Sequence, residues 1–247
     1  MRGPYRRVVL VLLLLATITF ANSVSATGQT VEASWRVSTY TFIKRYVAVQ
    51  RALAWLRSQQ GADGRFGLSH TDQDAATTAD AVLVIARAGQ DANGPNWSRG
   101  GRSALKALAD MAAGYVGQDA GRAGKVILAI SAAGADPRDF GGVDYIARLH
   151  DTYDPNSGLY HPTFLYRHAL AVHALVAAGE EVPRAALEAI IRAQGADGGW
   201  NWYFPETEAV TSEIDSTARM VLTLLQAGIS ANDPAITRAF AFLAEQQ

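Results

Sequence analysis

The chain of 247 residues carries 22 Lys and Arg against 23 Asp and Glu, a formal charge of −1, and its three lysines and singly scattered arginines form no basic cluster. Binding to a nucleic-acid backbone needs such a cluster, so nucleic acid is excluded as a partner. The absence of cysteine also excludes disulfides, thiolate-held zinc and a cysteine nucleophile.

In chain order, Arg2, Arg6 and Arg7 precede an apolar run from Val8 through Phe20, and Val24-Ser25-Ala26 supplies the small residues of a cleavage site. Residues 1–26 therefore read as a signal peptide of a secreted protein, the rival being an uncleaved anchor. Cleavage would remove three arginines and no acid, leaving 19 basic against 23 acidic side chains, a net −4, with no later segment long and apolar enough to span a membrane. Residues 27–43 form a lead-in. Helices are expected at about 44–60, 74–88, 98–116, 121–133, 143–149, 164–178, 183–194, 213–227 and 234–246, and no strand is expected.

The array is periodic. Gln-Gly-Ala-Asp-Gly occurs at Gln60 to Gly64 and at Gln194 to Gly198, followed by Phe66 and Trp200, and Asp154 to Tyr160 is a weaker copy. The pairs Ala88-Gly89, Ala133-Gly134, Ala178-Gly179 and Ala227-Gly228 recur at spacings of 45, 45 and 49, with Ala79, Gly124, Ala169 and Ala218 in common register. Small residues at fixed helix positions permit close helix approach, and a terminal Gly supplies a left-handed stop. The last nine residues repeat the approach to Gln60 and break off mid-repeat. This predicts either further repeats downstream or self-association through uncovered apolar faces.

Helical pairs of this period also suit open superhelical repeats, which do not require Gln and Asp-Gly-x-aromatic between helices. The loops at Gln60 to Phe66 and Gln194 to Trp200 resemble the glutamine-tryptophan motifs of the squalene cyclase and protein prenyltransferase superfamily. The resemblance covers residues 44–247 and implies an all-α fold, an α/α toroid of helical hairpins around a central cavity, here an incomplete ring. The motif residues themselves suit a structural role, the Gln side chain satisfying backbone groups and the ring covering a junction.

Glu213-Ile-Asp-Ser-Thr-Ala218 is similar to the acid motif of squalene-hopene cyclases, with Asp215 on the proton-donating aspartate. The same residues read as a helix cap formed by Ser212 and Asp215. The third acid of the cyclase motif is replaced by Ser216. Prenyltransferase chemistry would need a zinc-binding cysteine, which this chain lacks. No metal site is expected: His168 and His173 are five apart and face different sides of a helix, and His161 and His168 suit ordinary hydrogen bonding.

Trp202 and Tyr203, followed by Glu206 and Glu208, exceed what the loop needs. A toroid would gather these aromatics near Tyr160, His161, Phe164, Glu213 and Asp215, a ligand-binding set with aromatic walls and few polar groups. The resemblance extends to the cobalamin carriers intrinsic factor and transcobalamin, non-catalytic toroids. It implies a secreted binding or scaffold module for cobalamin or another hydrophobic small molecule; the alternatives are a terpenoid cyclase-like enzyme using Asp215, or a piece of a longer surface protein.

Overall fold

The computed structural model describes residues 28–69, 72–205 and 211–246, with side chains from residue 43 onward except 68–73. The expected signal peptide, Glu206 and Glu208 lie outside these residues.

The first helix, α1, spans Gly28–Gln59, so residues 28–43 extend the helix expected from residue 44. No Gly or Pro between Gln29 and Gln59 interrupts it. Packing divides the chain into a unit that ends at Arg51 and another that begins at Ala52.

The second unit is mostly helical. After α1 come α2 (Ala75–Arg87), α3 (Ala104–Val116), α4 (Ala120–Ala132), α5 (Tyr145–His150), α6 (Leu165–Ala178), α7 (Arg184–Arg192), α8 (Ile214–Gln226) and α9 (Pro234–Glu245). Asp74, Ser103, Asp119, Asp144 and Asp233 cap helix starts, each side chain accepting a backbone N–H of the first turn. The helices α2, α4, α6 and α8 each end on a left-handed glycine, with φ between 72° and 88° at Gly89, Gly134, Gly179 and Gly228. The following residue returns its N–H five residues back, as in Gln90 to Ile85 at 3.1 Å and Ile229 to Leu224 at 3.0 Å. That bond satisfies a carbonyl the helix end would otherwise orphan.

These four helices form a row in which each packs on the next, the α4–α6 contact being the most extensive. The others flank it: α3 lies against α2 and α4, α5 against α4, α7 against α6 and α9 against α8. Close approach within the row depends on small residues. A Cβ on Gly124 would lie 2.7 Å from the Leu170 carbonyl oxygen of α6.

Two short antiparallel hairpins correct the expectation of no strands: β1 (Gly67–Ser69) pairs with β2 (Asp72–Gln73), and β3 (Ser98–Arg99) with β4 (Arg102–Ser103). The second shortens the helix expected from residue 98, because Gly100 and Gly101 both adopt positive φ and make a two-residue hairpin turn.

The pentapeptide copies fold alike. Gln60 Nε2 donates to the carbonyls of Gly64 (3.0 Å) and Trp97 (2.9 Å), and Gln194 Nε2 to those of Gly198 (2.7 Å) and Ala235 (2.7 Å). Each amide thus ties its own loop to the chain segment that opens or precedes the next flanking helix. Behind it the Phe66 N–H donates to Thr78 Oγ1 (3.0 Å) and the Trp200 N–H to Thr217 Oγ1 (2.9 Å), both rings being buried. At Tyr160 the weaker copy uses a different acceptor. Its N–H donates to His168 Nδ1 (3.1 Å), and His168 Nε2 meets the Ala186 carbonyl (2.9 Å), so one imidazole replaces the threonine and reaches the next flanking helix, α7.

Candidate functional site

The chain entering α2 runs 15 residues past α1, that entering α6 14 residues past α5 and that entering α8 21 residues past α7, whereas only Gly117, Gln118 and Asp119 separate α3 from α4. The copy of the aromatic loop absent there leaves space. A cavity of about 730 Å³ opens at that point, lined by Gln118, Asp119 and Ala120 at the start of α4, Arg148, Asp151 and Thr152 at the end of α5, and Tyr160, His161 and Pro162 before α6.

Its polar groups are held in defined states. Tyr160 is 3% exposed, and its hydroxyl has no hydrogen-bond partner among the described residues. Burial raises the pKa of this phenol, so it stays protonated and able to donate. His161 Nδ1 accepts the N–H groups of Thr163 (3.2 Å) and Phe164 (3.0 Å). In the neutral ring the proton therefore sits on Nε2. Burial lowers the His161 pKa, with the Asp119 carboxylate opposing and Arg167 assisting, so the neutral form is favoured. Asp119 forms an ion pair with Arg167, while Arg148 Nη1 donates to the Ala113 carbonyl at 3.1 Å.

Of the residues expected to bind a ligand, Tyr160 and His161 line this cavity. Phe164 stands beside it, with its ring 5.0 Å from His161 and 4.9 Å from Tyr203, beneath the Arg167 guanidinium at 4.6 Å. Trp202 belongs to a second group. It stacks on Tyr166 at 4.1 Å and 9°, and the Tyr166 hydroxyl accepts from Arg219 Nη2 at 3.4 Å. Backbone bonds from Tyr166 N–H to Trp202 O (3.1 Å) and from Phe204 N–H to Thr163 O (3.0 Å) fasten this loop to the start of α6. The loop aromatics thus pack on their neighbours and do not wall one open site.

Glu213 and Asp215 are both exposed at the start of α8. The expected cap by Ser212 and Asp215 is not formed: Glu213 is the N-cap residue, no side chain caps the helix, and Ser212 Oγ donates instead to Asp197 Oδ1 at 2.7 Å. Glu213 Oε2 accepts from Ser216 Oγ at 2.8 Å. An exposed Asp215 does not sit in the closed, dry cavity that carbocation chemistry needs. Among the described residues no group of three or more His, Asp or Glu is arranged to hold a metal, and no helix is long and apolar enough to cross a membrane.

Sequence reasoning missed Asp119, Arg148 and Thr152. The signal that finds them is negative, a missing loop copy between Val116 and Ala120, and no residue type announces it.

A second cavity, of about 380 Å³, lies at the opposite, C-terminal ends of the row's helices. Arg87 of α2, Ser131 and Ala132 of α4, Val176 and Ala177 of α6 and Gln226 of α8 all line it. Above it His173 Nδ1 accepts from Arg219 Nη1 at 3.1 Å.

Both core histidines are held neutral. Burial pushes His168 down to about 4, against the Ala186 hydrogen bond, and burial followed by the Arg219 charge pushes His173 to about 4. An unfolded histidine titrates near 6.5, so between about 6.5 and 4 the unfolded chain binds protons that the folded chain refuses. Stability is therefore full above pH 6.5 and falls as the pH drops toward 4. For fully buried His168 the loss is on the order of 3 kcal/mol. Thermal melts from pH 7 to 4 should show this fall, reduced in His168→Gln, whose amide can accept from Tyr160 and donate to Ala186 without titrating.

Comparison with known proteins returns no matching family model and no matching curated protein.

Proposed function

We propose that this chain is an exported α/α-repeat module, its inner helices curling into an incomplete toroid, that binds a small molecule in the cavity beside Tyr160 and His161. The observation that carries the binding reading is Tyr160, a residue that lines a cavity of about 730 Å³ and whose buried, protonated hydroxyl has no internal partner among the described residues. That volume lies within the roughly 300–1,000 Å³ typical of small-molecule sites. The lining carries donors, the Nε2–H of neutral His161 and Arg148, together with the carboxylates of Asp119 and Asp151, and so suits a polar ligand that both accepts and donates hydrogen bonds. Curling is supported by the second cavity, which both the first and the fourth helix of the row reach. Export rests on Arg2, Arg6, Arg7 and the apolar run behind them.

Native mass spectrometry of the chain purified from its source tests the reading. The expected result is a retained small molecule from the wild type and its loss from Tyr160→Phe. Removing a buried hydroxyl that makes no internal hydrogen bond should not lower the melting temperature, because it removes an unpaid desolvation cost. Bare protein in both samples, or equal retention by both, contradicts it.

A further inference from the structure

The charges around the Tyr160 cavity restrict the kind of molecule it takes. Asp119 and Asp151 supply two carboxylates to the lining and Arg148 one cation, while Arg167 forms the ion pair with Asp119. Arg148, in the last turn of α5, and Asp151, its C-terminal cap, stand three residues apart and so are neighbours on the helix surface. Two negative and two positive charges therefore cancel, each acid having a cation beside it. An anion would meet the carboxylates and a cation the guanidinium groups, so neither sign of charge is favoured. A wholly apolar molecule would take these charged groups out of water without replacing their hydrogen bonds, a cost it does not recover. What remains is a neutral ligand dense in hydrogen-bonding groups.

Donors and acceptors share the lining. Arg148 donates, the exposed Gln118 amide does both, and Thr152 Oγ1, whose proton goes to the Leu149 carbonyl at 2.7 Å, keeps its lone pairs for an incoming donor. Ala120 and Pro162 add apolar surface among them. A hydroxyl both donates and accepts, and a sugar ring carries several of them around an apolar C–H face. We infer that this cavity binds a neutral saccharide, its hydroxyls bridging Asp151, Arg148 and Gln118. The inference rests on the binding reading above and narrows it to one class of ligand. Asp151 adds a separate reason. It caps α5 through its backbone N–H alone, and a carboxylate at a helix C-terminus is disfavoured by the helix dipole, so the acid serves the cavity better than the fold.

Binding of the labelled full chain to an immobilised array of mono- and oligosaccharides, with amino acids and nucleotides immobilised beside them, tests the assignment. Binding confined to saccharides is expected, weakened at least about tenfold in Asp151→Asn, the fold-change of one lost charge-assisted hydrogen bond. Asp151 is exposed, and removing its charge from a helix C-terminus should leave the melting temperature at or above that of the wild type. Displacement by a free monosaccharide assigns the cavity to a single sugar unit, and resistance to it assigns a longer chain. No saccharide bound, preferential binding of the amino acids or nucleotides, or equal binding by Asp151→Asn overturns the assignment. A molecule of another class, retained in native mass spectrometry and lost from Tyr160→Phe, overturns the saccharide alone and leaves the cavity a binding site.

Discussion

Replacing Trp200 with alanine should lower the unfolding free energy by about 3–5 kcal/mol, the range for deleting a fully buried large aromatic. The ring is 0% exposed, so the deletion leaves a void that the surrounding helices can fill only in part. Its Nε1–H also donates to the Ile190 carbonyl at 2.7 Å. Ile190 lies in the last turn of α7, where that carbonyl has no helical donor, so the variant loses a helix cap as well. Trp200→Phe separates the two effects: keeping most of the ring volume and losing the bond, it should cost about 1–2 kcal/mol. Urea denaturation at constant m-value reads both. A loss below about 1 kcal/mol for the alanine variant would mean that this ring does not hold the loop to the helices.

Gly124→Val should be destabilising by about 2–4 kcal/mol, through overpacking between α4 and α6. Two effects compete at this position. A helical glycine costs about 1 kcal/mol relative to alanine, so any side chain recovers part of that. Against this, a Cβ would meet the Leu170 carbonyl oxygen at 2.7 Å, its carbon at 2.9 Å and the Ala171 nitrogen at 3.1 Å. All three are backbone atoms of α6, so relief requires moving a whole helix. Gly124→Ala should therefore lose less than Gly124→Val, the propensity gain offsetting part of its clash. Wild-type stability in either variant would place the α4–α6 contact elsewhere.

These two positions show what could be read in advance. Helix ends were readable because Ala-Gly pairs carry their own conformational reason, and the glycines do adopt the left-handed turn. The small-residue register was readable too: Ala79, Gly124 and Ala169 are buried, each facing a row in which another helix follows. Ala218 in the same register is exposed, since among the described residues no further helix of the row follows α8. The short hairpin at Gly100-Gly101 was missed because its strands are two residues each, too short for periodicity to register.

The site was harder to read. Tyr160 and His161 were singled out, yet for an aromatic-walled pocket shared with Trp202 and Tyr203. Those rings instead cover Tyr166 and Phe164. The cavity arises where a loop copy is omitted, so its lining comes from residues that follow no motif. His168 shows the reverse case: its type suggests chemistry, but its position in the helix register, shared with Thr78 and Thr217, explains it as a loop anchor.

The proposed curling of the helix row is tested most directly by a distance between its first and last members. The chain has no cysteine, so Arg87→Cys with Gln226→Cys accepts one pair of spin labels without background, and pulsed electron resonance gives their separation. Helices that curl so that α2 and α8 share one cavity place the labels at or below about 20 Å. A straight row, with three steps between neighbouring axes of roughly 8–10 Å each, would put them at about 24–30 Å and contradict the account.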